Sequence, residues 1–147
     1  MTVIHIGNFL TQRNQIIALL IRNAVLFKFK PTVTAGQRAE FVKLAKSLKS
    51  LSCVKDGRLI VGGPSITDPV SKSKGYDCAL VSYHEDLEAL REYHVTEEHE
   101  KLKTSYVLPL AESLIRFDFE VDQEDEGLVG VLPLLGSLGA GNHSISK

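Results

Sequence analysis

The sequence predicts an α+β fold with the ferredoxin-like element order β-α-β-β-α-β. Three observations lead to this prediction. Strictly alternating segments, AVLFKFK at 24–30 and LIRFDFEV at 114–121, lie at the two ends of the central region. A helical repeat of apolar residues follows the first of them, and two more apolar strand segments lie on either side of a polar, turn-rich connection. This order gives a four-stranded antiparallel sheet with both helices on one face.

The first strand places Val25, Phe27 and Phe29 on one face, and Pro31 ends it. The first helix is predicted over 34–52. Thr34 and Gln37 there have the spacing of a capping box, in which each side chain satisfies a free backbone N–H of the first turn.

The second half of the domain repeats this alternation of strand and helix. Strands are predicted for GRLIVGG at 57–63 and YDCALVSY at 76–83, and a short helix for EDLEALREY at 85–93. A further helical stretch is predicted over 97–113 with a kink at Pro109. In the last strand, Ile115, Phe117, Phe119 and Val121 face one way, and Arg116, Asp118 and Glu120 face the other.

The bulk composition indicates one domain and excludes several classes of function. A chain of 147 residues suits a single core, and 17 basic against 18 acidic residues give no electrostatic basis for nucleic-acid binding. No segment reaches the roughly 18 to 20 apolar residues of a membrane span. Cys53 and Cys78 lie among apolar neighbours without metal or redox spacing. We therefore expect reduced cysteines and a cytoplasmic protein without membrane or nucleic-acid partners.

A sheet with helices on one side leaves its other face without cover. If Phe27 and Phe29, or Phe117 and Phe119, lie on that face, they form an exposed apolar patch, which predicts a partner. The simplest partner is a second copy of the chain, sheet against sheet.

The pattern also predicts three regions: an N-terminal extension or insertion at 1–22, a domain at 23–122 and a C-terminal tail at 123–147.

Four stretches in this order resemble the stress-responsive A/B barrel domain, a branch of the dimeric α/β-barrel proteins: VLFKFKP, GYDCALVSY, EYHVTEEH and FDFEVD. The resemblance covers roughly residues 23–122. It implies a homodimer whose protomers each enclose an apolar pocket between sheet and helices, with an apolar small molecule as substrate or ligand and no cofactor.

Some members with this fold are enzymes, and a plant polyketide cyclase among them uses a Tyr and, six residues later, a His for acid–base chemistry. That spacing selects Tyr93 and His99 here, with His99 transferring protons and Tyr93 holding a carbonyl oxygen. Two carboxylates, Glu97 and Glu98, would favour the charged imidazolium if they approach it, and would have little effect if they face solvent. His94 is expected at the surface.

The start of the chain, MTVIHI, resembles the usual beginning of the first strand in this family, which would continue directly into VLFKFK. The resemblance therefore implies that residues 7–24 are an insertion. One interpretation is a translated, unspliced intron in the gene sequence, and the other is an extra helix at 10–22.

Pocket-lining residues also follow from the resemblance. A His opens the first strand of relatives and lines their pocket. In this chain His5 occupies that position if the insertion is absent, and Asn23 occupies it if the strand begins where the sequence places it. Val25 and Phe27 lie on the same face of the strand as Asn23. His84 is expected in a turn, and no histidine spacing favours a metal. Two functions remain open: a cofactor-free cyclase or lyase acting on a polyketide-like poly-carbonyl intermediate of secondary metabolism, or a non-catalytic stress-responsive module that binds a small molecule or partner.

Overall fold

The computed structural model describes residues 20–122 and 124–126. It shows the predicted order of four strands and two main helical regions, and we number the elements in chain order. Their bounds are β1 Leu20–Phe29, α1 Ala35–Ser47, β2 Leu59–Gly62, β3 Cys78–His84, α2 Leu87–Val95, α3 Glu97–Leu102, α4 Leu108–Leu110 and β4 Ala111–Val121.

The strands form one antiparallel sheet in the order β2-β3-β1-β4. β1 lies at the centre, where Asn23 pairs with Ser82 of β3 and with Asp118 of β4. The ferredoxin-like α+β fold is therefore confirmed.

The core lies between this sheet and the helices. Phe27 and Phe29 of β1 pack against the fully buried Phe41 of α1, with ring centroids 5.1 and 5.3 Å from it. The predicted capping box holds the start of α1, since the Thr34 hydroxyl accepts from the Gln37 N–H and the Gln37 side chain accepts from the Thr34 N–H. Cys53 and Cys78 are buried and unpaired, as predicted.

The first strand and the last helical stretch have boundaries that differ from the prediction. β1 begins at Leu20, so residues 20–22 belong to this strand and not to the helix predicted over 10–22. The helical stretch predicted over 97–113 is α3, a wider π-helical turn at Lys103–Val107, and α4, and it ends at Leu110 because the chain enters β4 at Ala111. His5, the rest of the predicted insertion and nearly all of the tail lie outside the described residues.

The helix-free side of the sheet, called the open face below, is apolar and exposed. Phe117 is 66% exposed, and its ring lies 5.8 Å from that of Phe119. Phe27 and Phe29 are instead core residues, so only the second aromatic pair is on the uncovered side. The open face consists of Leu26, Ile60, Ile115, Phe117 and Phe119.

The described part of the tail contacts one end of the sheet. Residues 124–126 form a helical turn, and the Glu126 carboxylate pairs with the guanidinium groups of Arg22 and Arg58, the latter at 2.8 Å. Both guanidinium groups also stack on Tyr83, at 3.9 and 4.1 Å from the ring centroid. This contact fixes the chain directly after β4 against Arg22 of β1 and against Arg58, the residue before β2.

Candidate functional site

A cavity of about 120 Å³ lies between β1, β4, the end of α2 and the helical segment that follows it. We call it the histidine cavity, and six of the residues that line it define it: Asn23, Val25, Phe27, Tyr93, His94 and His99. The structure thus brings the predicted pair Tyr93 and His99 into one space with the three predicted pocket residues of β1.

Tyr93 and His99 come together because a tight turn joins their helices. Tyr93 lies near the end of α2, and Thr96 ends this helix while its hydroxyl accepts from the His99 N–H to begin α3. The two rings then meet edge to face, with centroids 4.8 Å apart. The turn therefore sets the geometry of the pair locally.

The His99 imidazole is neutral at physiological pH. Burial is the main cause, with the adjacent His94 imidazole adding to it, and together they lower the pKa of His99 to about 4. The Nδ1 atom of His99 is buried and has no hydrogen-bond partner among the described residues. A buried nitrogen without a hydrogen-bond partner is free to form a hydrogen bond with a substrate atom.

The carboxylates at the start of α3 do not make the His99 imidazole charged. Glu97 and Glu98 are both exposed, so the second of the two expected cases applies and their effect on His99 is small. Glu100 opposes the shift in the pKa of His99, but burial outweighs it.

His94 is a correction to the sequence analysis. We expected it at the surface, yet it is half-buried and lines the cavity, with its ring 5.4 Å from Tyr93 and 5.0 Å from His99. The chain turns sharply at Thr96, and this turn folds His99 back onto the end of α2 where His94 lies.

His84 is a second correction, since it is not an exposed turn residue. It ends β3 with its side chain fully buried and 4.9 Å from the Tyr93 ring. Its Nδ1–H donates to the Cys53 carbonyl at 2.8 Å, which leaves Nε2 to accept from the Ser82 hydroxyl at 2.9 Å. Burial lowers the pKa of His84, consistent with this neutral form.

A second set of polar groups lies on β1 and β4. The Asn23 side-chain amide donates to the Asp118 carboxylate at 2.5 Å. Burial alone would raise the pKa of Asp118, but hydrogen bonds from Arg116 and Asn23 outweigh it and lower that pKa. Asn23 is thereby held in a fixed orientation at the wall of the cavity.

Tyr93 is almost fully buried between His84 and His99. Burial raises the pKa of its phenol well above the usual value, and the neighbouring Ser82 hydroxyl offsets part of the rise. The phenol therefore stays protonated, so its hydroxyl keeps a proton that a hydrogen bond can use. The sequence analysis missed Ser82, His84 and Asp118 as supports of this site, although a Ser and a His two residues apart on an apolar strand were a usable signal.

No group of three or more His, Cys, Asp or Glu side chains within 20–122 and 124–126 is arranged to hold a metal ion. Over the same residues, none of the helices combines the length and apolar character needed to cross a bilayer.

The fold and the cavity define a class: an α+β ferredoxin-like protein with a small, largely apolar pocket between its sheet and its helices. Residues 21–121 match the stress responsive A/B barrel domain. The chain belongs to this family. No curated protein matches its sequence.

Several solved structures have the same fold as this chain but differ from it in sequence. A hydroxynitrile lyase from Passiflora edulis is 11% identical, covering 72% of this chain and 96% of its own, with a TM-score of 0.63. A dimeric ferredoxin-like protein of unknown function from Thermobifida fusca is 19% identical, covering 71% and 92%, with a TM-score of 0.61. A protein of this family from Mesorhizobium loti is 19% identical, covering 69% and 95%, with a TM-score of 0.57. At these identities the likeness shows the fold alone.

Proposed function

We propose that the protein is a cofactor-free lyase or cyclase that acts on a carbonyl compound in the histidine cavity. The observation that supports this most directly is the neutral His99 imidazole with a buried, unpartnered Nδ1, its ring in contact with the ring of the protonated Tyr93 phenol. A proton acceptor and a hydrogen-bond donor in one apolar cavity are the two groups that enolate chemistry needs.

In the proposed reaction His99 accepts a proton from the carbon next to a carbonyl group, while Tyr93 donates a hydrogen bond to the carbonyl oxygen that becomes negative. The carbanion forms a bond to a second carbonyl carbon, and the resulting alkoxide takes the proton back from the imidazolium. Protons and electrons balance without a cofactor. His94 and Asn23 bound the site, and Asn23 is oriented by Asp118.

The state of His99 limits the substrate. An imidazole whose pKa is about 4 is a weak base, so the C–H bond that it ionises must be acidic. A carbon between two carbonyl groups meets this requirement, which supports the poly-carbonyl, polyketide-like class that the family resemblance implied. The volume of about 120 Å³ accommodates the reacting carbonyl groups, and a longer chain would extend through the mouth of the cavity, past Lys103. The hydroxynitrile lyase name of one structural neighbour supports carbon–carbon bond chemistry in the same fold.

The alternative is a non-catalytic stress-responsive binding module. It is favoured by the weak basicity of His99 and by a cavity smaller than the roughly 300–1,000 Å³ of most small-molecule sites. In that case Tyr93 and His99 would bind a small polar group without transferring a proton.

Turnover of short β-dicarbonyl compounds, measured by mass spectrometry of the products, distinguishes the two functions. If the protein is an enzyme, Tyr93→Phe and His99→Gln each lower kcat by roughly 100-fold or more. Glu98→Gln, an exposed change one residue from His99, serves as the control and leaves kcat unchanged. Saturable binding in NMR titrations without turnover, or turnover that survives His99→Gln, would support the binding module.

We further propose that the protein is a cytoplasmic homodimer. Several structural neighbours are described as dimeric, and the open face offers a contiguous apolar surface for an isologous contact. The division into an extension, a barrel domain and a tail is retained as part of this proposal, with the domain starting at β1. Sequencing the mature transcript tests the intron interpretation, since an mRNA that encodes residues 7–24 would exclude it.

A further inference from the structure

A groove of about 630 Å³ lies between α1 and the edge strand β2, and the proposed reaction does not use it. We call it the α1 groove and define it by Phe29, Ala39, Val42, Lys43, Lys46 and Val61. Its volume is within the range of sites that hold a small molecule, whereas that of the histidine cavity is below it.

The α1 groove is separate from the histidine cavity. The two spaces have no lining residue in common. Phe27 lines the cavity and Phe29 lines the groove, and both pack against Phe41, so a layer of aromatic rings separates the two spaces. A ligand in one space therefore does not contact residues of the other.

The lining of the groove combines an apolar wall with positive charge. Phe29, Val42 and Val61 form the wall between helix and strand. Lys43 and Lys46 are exposed at the groove, and no carboxylate of the described residues lies within salt-bridge distance of either lysine.

One carboxylate also lines the groove, but it is already paired. Asp77 forms a salt bridge with Arg38, and the Arg38 guanidinium lies over the Phe29 ring at 4.9 Å. The charges of Asp77 and Arg38 offset one another, so the two lysines make the net charge of the groove positive. Its chemistry is complementary to an apolar chain or ring that ends in an anion.

Gly63 shows how closely the backbone encloses this end of the groove. A Cβ atom there would lie 2.3 Å from the Asp77 carbonyl oxygen, at a φ of +158°. Only glycine fits, and its lack of a side chain brings the segment after β2 against the start of β3. The end wall is thus backbone, which a bound ligand would not displace.

We propose that the α1 groove binds a free amphipathic carboxylate, with its apolar body against Phe29, Val42 and Val61 and its carboxylate near Lys43 and Lys46. This site is independent of the proposed reaction at His99.

Isothermal titration calorimetry of the full chain with decanoate and with 1-decanol tests this proposal. Decanoate binds saturably and more tightly than decanol. Lys43→Gln and Lys46→Gln weaken decanoate binding roughly two- to fivefold for each lysine and leave decanol binding unchanged. Exposed lysines elsewhere, Lys49 and Lys101, provide the matched control, and their change to Gln has no effect.

Steric variants locate the site. Ala39 is exposed and lines the groove, so Ala39→Trp fills it without entering the core and abolishes decanoate binding. Its neighbour Glu40 is exposed but does not line the groove, so Glu40→Trp retains wild-type affinity. His99→Gln also retains it, which separates this site from the histidine cavity.

Three results would overturn the proposal. Decanoate and decanol could bind equally, with no effect of the lysine changes. Decanoate could bind Ala39→Trp as tightly as the wild type. Finally, Ala39→Trp could change the oligomeric mass in sedimentation without affecting decanoate, which would make the groove a contact between protein chains.

Discussion

Acid should destabilise this protein through His99. The pKa of an unfolded histidine is about 6.5, and in the folded chain burial and His94 lower the pKa of His99 to about 4. Between these values the unfolded state binds more protons than the folded state, so the free energy of unfolding falls as pH falls through this window. Above pH 6.5 His99 has no effect on the free energy of unfolding. Below pH 4 the destabilisation by His99 has reached its full size.

The magnitude follows from the same two pKa values. From pH 7.5 to pH 4.5 the expected contribution of His99 is a loss of roughly 2 to 3 kcal/mol. His99→Gln removes the titrating group, so the variant should lose that much less stability over this range. Burial also lowers the pKa of His84 and His94, and these residues contribute in the same direction in both proteins.

Urea denaturation at both pH values measures this difference, at one fixed protomer concentration because a dimer is stabilised by mass action. Glu98→Gln, with its exposed side chain, is the control and should follow the wild type. An equal loss of stability in the wild type and in His99→Gln would refute the argument, because it would mean that His99 is as accessible to protons in the folded state as in the unfolded chain.

Three further predictions concern the dimer, the core and the start of α1. Phe117→Glu should convert a dimer to a monomer in sedimentation at micromolar concentration, while Ile66→Glu, at a loop position that is 97% exposed, should not; a monomeric wild type would contradict the dimer itself. Phe41→Ala should lower the free energy of unfolding by about 3–5 kcal/mol in urea denaturation, because Phe41 is fully buried against two aromatic rings, and a loss under 1 kcal/mol would argue against this packing. Thr34→Ala should cost about 1 kcal/mol in the same assay by removing the capping box, and no change would indicate that water replaces the hydroxyl.

The sequence predicted the parts of the fold that depend on local chemistry. Alternation along β1 and β4 identified which residues share a face, because side chains in a strand point to opposite sides in turn. The capping box located the start of α1 because it needs only residues three apart. The spacing of Tyr93 and His99 came from the family resemblance, and the turn at Thr96 that brings the two rings together is also local.

The errors concern contacts that the neighbouring residue types do not reveal. His84 precedes two acidic residues and His94 lies in a stretch rich in carboxylates, so their surroundings in the sequence indicated a turn and a surface. The burial of His84 depends on the Cys53 carbonyl, which is 31 residues away in the sequence. The burial of His94 depends on α3, which the turn at Thr96 folds back onto the end of α2.

By itself, therefore, the sequence determined the order of elements and the faces of the strands, and the family resemblance selected Tyr93 and His99 as the pair to test. Only the tertiary structure decided which aromatic pair is left on the open face and which is in the core. It also decided the protonation state of His99, because burial controls the pKa of an imidazole and depends on how separate segments pack. The α1 groove is also a feature that only the tertiary structure decided, since it exists only where a helix lies beside the edge of a sheet.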